Sequence, residues 1–274
     1  MKHGDPSIQT LLALMAQLRD PVQGCPWDRA QDFRSIVPHT IEEAYEVAEA
    51  IALADWQALP GELGDLLFQV VFYSQLGREC GYFDFADVVQ AITDKLVRRH
   101  PHVFGGERLT NGAAHTERWE AHKAAERRGA SGGPLSALDG VARALPALSR
   151  AAKLQRRAAA EGFDWPAAEP IFAAIEDELA ELREAMQGED PAAVQEELGD
   201  LLFSCVNLAR FLGVDPEAAL RGCNAKFERR FRYIEDRLAA QDRRPKDATL
   251  AEMDALWNEA KQRAQGYGRV RSKD

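Results

Sequence analysis

Apolar residues recur along this chain with the period of a helix. Between positions 8 and 18 they fall at Ile8, Leu11, Leu12, Met15 and Leu18, spacings of three and four that line one helix side. Segments 40–58, 61–79, 86–99, 171–187, 191–212 and 217–240 carry similar stripes with few breakers. No run alternates polar with β-branched residues, so no sheet is expected. Pro60–Gly61 is expected to separate the first pair of long helices, and Gly188 with Pro191 the second. "HPH" at 100–102 reads as a structural turn, since the proline bends the chain and no second histidine cluster stands at metal-site spacing. The pattern predicts an all-α fold built of helical bundles.

The stripes come in two copies. "ELGDLLF" occupies 62–68 and recurs letter for letter at 197–203. At an offset of 135, Glu43, Glu46, Glu62 and Asp65 fall on Glu178, Glu181, Glu197 and Asp200. Each half thus reads E-x-x-E, a gap of 15 residues, then E-x-x-D. "KLVRR" (95–99) matches "KFERR" (226–230), "WEAHK" (119–123) matches "WNEAK" (257–261), and "GCPW" (24–27) has a looser echo in "GFDW" (162–165). Four blocks in one order indicate a duplicated domain. "RRGASGGP" (127–134) has no apolar period and reads as a flexible seam. Two tandem helical-bundle domains are expected, at 1–128 and 134–274, with a linker at 129–133.

A spacing of three puts both acids of each motif on one helix face, and a short connection makes the two helices antiparallel neighbours. Four carboxylates per half can then converge. A solvated charged face would carry Lys or Arg one turn away, yet the residues four positions on are Val47, Ala50, Leu66, Gln69, Leu182, Ala185, Leu201 and Ser204. Asp65 is flanked by Leu63, Leu66, Leu67 and Phe68, an expensive setting for an unpaired carboxylate. "TIEE" (40–43) fits a capping box with Thr40 as N-cap, but Ile175 replaces the threonine in the second copy while Glu178 persists. Duplicated core packing explains the leucines and not the acids. A metal site explains the acids. A di-iron centre wants Glu-x-x-His, and no histidine stands on either motif. All-oxygen ligands suit a hard ion, Mg²⁺ or else Mn²⁺, which commonly completes its shell with substrate phosphates.

Composition narrows the partners. The chain has 274 residues, 46% hydrophobic and 28% charged, with a net charge of −10. So acidic a chain is poorly suited to a nucleic-acid polymer. Its apolar runs, such as "LLFQVVFY" (66–73), are too short to span a bilayer, and no signal peptide is expected from its first residues. Cys25, Cys80, Cys205 and Cys223 show no paired spacing and read as free thiols of a reducing, cytoplasmic compartment.

Lys226 and Arg230 share a helix face, as do Lys95 and Arg99. Such a pair is most often plain solvated surface. Repeated beside an acidic cluster, it becomes a clamp for phosphate oxygens. Trp257 with Lys261, and Trp119 with Lys123, again lie one turn apart. They are either a core tryptophan with a snorkelling lysine or a base-stacking face with a further phosphate contact.

E-x-x-E, a gap, E-x-x-D and then K-x-x-x-R resembles the MazG nucleoside triphosphate pyrophosphohydrolases, most closely the tandem-domain bacterial proteins. "GCPWD", "ELGDLLFQVVFY", "DKLVRRHPHVF" and "KFERRF" carry the resemblance over nearly the whole chain. It implies two MazG-type domains, Mg²⁺ dependence, a homodimer, and hydrolysis of NTPs or dNTPs to monophosphate and pyrophosphate. Metal ligands would be Glu178, Glu181, Glu197 and Asp200, with Glu43, Glu46, Glu62 and Asp65 in the first half. The attacking water would be held by metal or carboxylate, with Glu178 the favoured base. Glu178, Lys226, Arg230 and Lys123 are the candidate catalytic residues. Lys226, Arg230, Trp257, Lys261, Lys95, Arg99, Trp119 and Lys123 would contact substrate. The second half is favoured as the principal catalytic unit, although the family's paired Glu-Glu, kept at 42–43, reads Asp177-Glu178 there. Other readings are a nucleotide-binding regulator, a di-iron oxidoreductase, and phosphoribosyl-ATP pyrophosphohydrolase, whose single short domain fits poorly.

Overall fold

The computed structural model describes residues 7–105, 136–188 and 190–270, with side chains as far as 263. Its helices fall into two compact units, Met1–Ala125 and Glu126–Asp274. The expected seam at 127–134 lies outside the described residues. Among the described residues there is no strand.

The first unit holds α1 (Ile8–Leu18), α2 (Pro26–Ala30), α3 (Val37–Ala52), α4 (Leu59–Cys80), α5 (Phe85–Arg99) and α6 (Pro101–Phe104). Ser7 caps α1 by accepting from the Thr10 amide. Asp84 and Asp87 form a reciprocal capping box on α5. Gly81, at φ 70°, ends α4 in a left-handed turn that suits glycine. The core is Met15, Ile36, Val71, Phe72 and Leu76, joined at its margin by Leu12, Phe33, Phe68 and Tyr73. α3 and α4 form the central pair, and α1 and α5 pack on α4. Thr40 reaches Tyr73 and Glu43 reaches Gln69, so rising numbers on α3 meet falling numbers on α4: the pair is antiparallel.

The second unit repeats the plan with α7 (Ala147–Ala160), α8 (Glu169–Ala185), α9 (Pro191–Phe211), α10 (Pro216–Ala239), a 3₁₀ turn (Pro245–Asp247) and α11 (Leu250–Val270). Here α8 and α9 are the central pair, α7 lies on α9 and α10, and α11 packs on α10. Asp190 and Asp215 cap α9 and α10, each with proline in the first turn.

Two local expectations need correcting. The break between α3 and α4 spans residues 53–58, with Ala54 at φ 54°, and Pro60 sits inside the first turn of α4, where its missing N–H costs nothing. Thr40 caps nothing, because α3 already begins at Val37; its hydroxyl bonds the Ile36 carbonyl and the Tyr73 hydroxyl. At 100–102, His100 ends α5 and Pro101 opens α6, so the chain does turn there.

Candidate metal centre

Each antiparallel pair brings three carboxylates together. Glu43 on α3 meets Glu62 and Asp65 on α4, and one oxygen from each lies within 4.8 Å of the others. Glu178 on α8 meets Glu197 and Asp200 on α9 with the same spacing. The geometry follows from the sequence: the i,i+3 acids of α4 and α9 share a face, and one turn of the partner helix lies opposite.

The two glutamates of each triad are half-buried and the aspartate is exposed. Asp65 and Asp200 therefore do not sit in an apolar interior, as their leucine-rich flanks suggested. The leucines beside Asp65 divide instead: Leu66 and Phe68 turn partly inward while Leu63 and Leu67 remain exposed. Glu46 and Glu181 stand beside the triads. Glu46 stands where a protonated Glu43 carboxyl can donate to it, and the Glu181 charge acts on both Glu178 and Glu197.

Crowding shows in the acidities. Partial burial, then the hydrogen bond to Glu46 and the charges of Asp65, Glu46 and Glu42, push Glu43 above the usual carboxylate range. Glu178 is raised by burial and by Asp200, Glu181 and Asp177. Glu197 is raised by burial and by Glu181, Asp200, Glu178 and Glu196. Among the described residues no Lys or Arg forms an ion pair with any triad acid. A cluster of oxygen donors with surplus negative charge and no histidine or cysteine has the chemistry to hold a hard metal ion.

The basic and aromatic candidates assemble on other helices. Lys226 is exposed and Arg230 half-buried, one turn apart on α10. The Arg230 guanidinium lies 5.2 Å over the Trp257 ring, and Phe227 flanks that ring at 5.3 Å. Lys261 is exposed on α11 and donates to Asn258 at 3.4 Å. In the first unit, Lys95 is exposed and Arg99 half-buried on α5. Trp119 and Lys123 lie outside the described residues. Sequence reasoning missed Gln69, whose amide donates to Glu43 at 3.4 Å from a buried position. Its signal was there: a polar residue one turn beyond Asp65 on the side of α4 that continues into the core.

Fold and site together define a duplicated all-α protein with a carboxylate cluster on each central helix pair. Two segments of the chain, 31–104 and 167–234, match the MazG nucleotide pyrophosphohydrolase domain. The chain is 49% identical over 258 residues to the nucleoside triphosphate pyrophosphohydrolase of Escherichia coli K12, covering 93% of this chain and 97% of the relative. It is 41% identical over 261 residues to the nucleoside triphosphate pyrophosphohydrolase/pyrophosphatase MazG of Thermotoga maritima, covering 95% and 98%. A Mycobacterium tuberculosis nucleoside triphosphate pyrophosphohydrolase is 33% identical over 154 residues. The chain belongs to the MazG family.

Proposed function

We propose that the chain hydrolyses nucleoside triphosphates to the monophosphate and pyrophosphate, in the cytoplasm and as a homodimer of two-domain protomers divided near 128–134. The observation that carries this reading is the duplicated carboxylate triad, which no Lys or Arg among the described residues pairs with. The names of the E. coli and T. maritima relatives support the same chemistry.

Glu178, Glu197 and Asp200 would hold Mg²⁺, with Glu181 at the margin; Glu43, Glu62 and Asp65 would do so in the first half, with Glu46 beside them. Mn²⁺ fits the same oxygen donors. When bound, the ion would supply positive charge against the triphosphate. Glu178 is suited to take the proton of the attacking water, since burial and then its acidic neighbours weaken its acidity. Water then cleaves the α–β phosphoanhydride, and pyrophosphate departs. Lys226, Arg230 and Lys261 would meet charge developing on that leaving group, with Lys95, Arg99 and Lys123 their first-half counterparts. Trp257 supports Arg230: its ring carries the guanidinium on one side and Phe227 on another.

The test is product identification with separate substitutions. Wild-type protein with Mg²⁺ and ATP is expected to give AMP and pyrophosphate; orthophosphate with ADP refutes the assignment. Glu197→Gln is expected to lower kcat/KM by at least about 10–100-fold, the range seen when metal sites lose even outer partners. Glu62→Gln reports the first half in the same assay. Full activity in the double variant would exclude both triads.

A further inference from the structure

The second unit holds a cavity of about 550 Å³. At the offset of 135, Phe203 matches Phe68, and buried Val206 matches buried Val71. The correspondence then breaks. Asn207 stands where the first unit has Phe72, a ring with no solvent exposure at the centre of its core. Arg210 stands where the first unit has Gln75. A core-filling ring has been exchanged for an amide, and the space lies open beside Leu154, Phe163, Trp165 and Phe203.

The polar side of the cavity is built, not incidental. Asn207 Oδ1 accepts from Arg210 Nη2 at 2.8 Å and Nε at 3.2 Å. Arg210 also grips Asp164, and this pairing holds the Asp164 carboxyl below the usual range. The Trp165 amide donates to Asp164 at 2.9 Å, so the segment carrying Phe163 and Trp165 is tied to α9. Gln155 is only 7% exposed and lines the cavity. Its Nε2 donates to the Phe203 carbonyl at 2.8 Å, which fixes the amide and leaves Oε1 buried without a partner. A buried, unpaired acceptor calls for an N–H donor. An apolar pocket of this size with aromatic walls and one oriented acceptor suits a flat heteroaromatic ring.

Its position on α9 names the ring. Asp200, Phe203, Asn207 and Arg210 are spaced i, i+3, i+7 and i+10, a single stripe of the helix. Seven residues separate Asp200 from Asn207, a rise of about 10 Å. We propose that this cavity takes the nucleobase of the triphosphate held at the Glu178–Glu197–Asp200 triad, with a base N–H donating to Gln155 Oε1 and Phe163 and Trp165 covering the ring. The proposal rests on the function argued above, and it assigns base recognition to the second half.

The test uses the full chain, Mg²⁺ and three substrates: ATP, purine riboside triphosphate, which lacks the N–H donor, and ribose 5-triphosphate, which lacks a base. Wild-type protein is expected to show a KM for ATP about fivefold below that for purine riboside triphosphate, the worth of one hydrogen bond. Gln155→Leu is expected to erase that preference while leaving ribose 5-triphosphate turnover unchanged. Phe163 is 85% exposed, so Phe163→Ala does not threaten folding. It is expected to raise KM about tenfold for both base-bearing substrates and to spare the base-less one, as loss of a stacking partner does. Equal effects on all three substrates, or no effect on any while the wild type is active, would overturn the base pocket and leave the hydrolytic function standing. Absence of pyrophosphate release from every substrate by the wild type would instead overturn the function.

Discussion

Glu252 shows how this chain holds a carboxylate it means to keep charged. Arg243 grips it through both terminal nitrogens at 3.1 Å, and the Thr249 amide and hydroxyl donate at 2.8 and 3.1 Å. Led by the Arg243 bond, these hold its pKa down at about 2. The triad glutamates are shifted the other way, upward, by burial and like charge. The signs therefore oppose. Glu252 contributes stability that is present above its ordinary value of 4.5 and is lost as pH falls toward about 2. The raised glutamates contribute stability that is present below their ordinary value and lost as pH rises through their shifted values. Without divalent cation, Glu197→Gln is expected to melt at a higher temperature than the wild type at pH 7, although it is the less active enzyme. Millimolar Mg²⁺ is expected to shrink that gap by stabilising the wild type alone. Scanning calorimetry at pH 4 and 7, with and without Mg²⁺, checks both; a variant less stable than wild type in chelator would remove the argument from repulsion. These six acids were legible in the sequence because the repeat marks them twice. The exposure of Asp65 was not, since a run of apolar letters does not say which of its residues face the core.

At the scale of elements, the helix at 8–18 was read to the residue, and the long helices near 61–79, 86–99 and 191–212 to within two residues. The apolar period and the terminal Gly, Pro and Asp carry that information locally. The end of α3 was misread because proline serves equally as a break and as a first-turn residue. The start of α11 was also written in the sequence, as "TLAE" at 249–252. The Glu252 amide donates to Thr249 Oγ1 at 3.2 Å while the Thr249 amide donates to the Glu252 carboxylate, a reciprocal capping box. This cap holds the helix that carries Trp257 and Lys261. Thr249→Ala is expected to cost about 1 kcal/mol, read from the urea midpoint. A KM for ATP that rises with it would tie the cap to the substrate side of α11; an unchanged midpoint would show that Arg243 alone anchors the helix start.

At the scale of the molecule, matching apolar stripes are exposed among the described residues of each unit. Leu63, Leu67 and Val70 are exposed along α4 at i, i+4 and i+7, and Leu198, Leu202 and Cys205 are exposed at the equivalent places on α9. Asp65 and Asp200 stand two residues from these stripes, which puts the stripes on the far side of each helix from the carboxylates. These leucines are only about half exposed, so covering one is worth about 1 kcal/mol, and several together contribute to an interface. The proposed homodimer would supply the cover, and charge would oppose it, since two copies bring together chains of net charge −10 each. Salt screens that repulsion and leaves the apolar term in place. Dimerisation is therefore expected to tighten between 50 and 500 mM NaCl, the reverse of an association built on ion pairs. Leu67→Glu with Leu202→Glu places a charge in each stripe and is expected to yield a monomer by sedimentation equilibrium. A double variant that stays dimeric would move the interface to other surfaces, and a monomeric wild type at every salt concentration would refute the dimer.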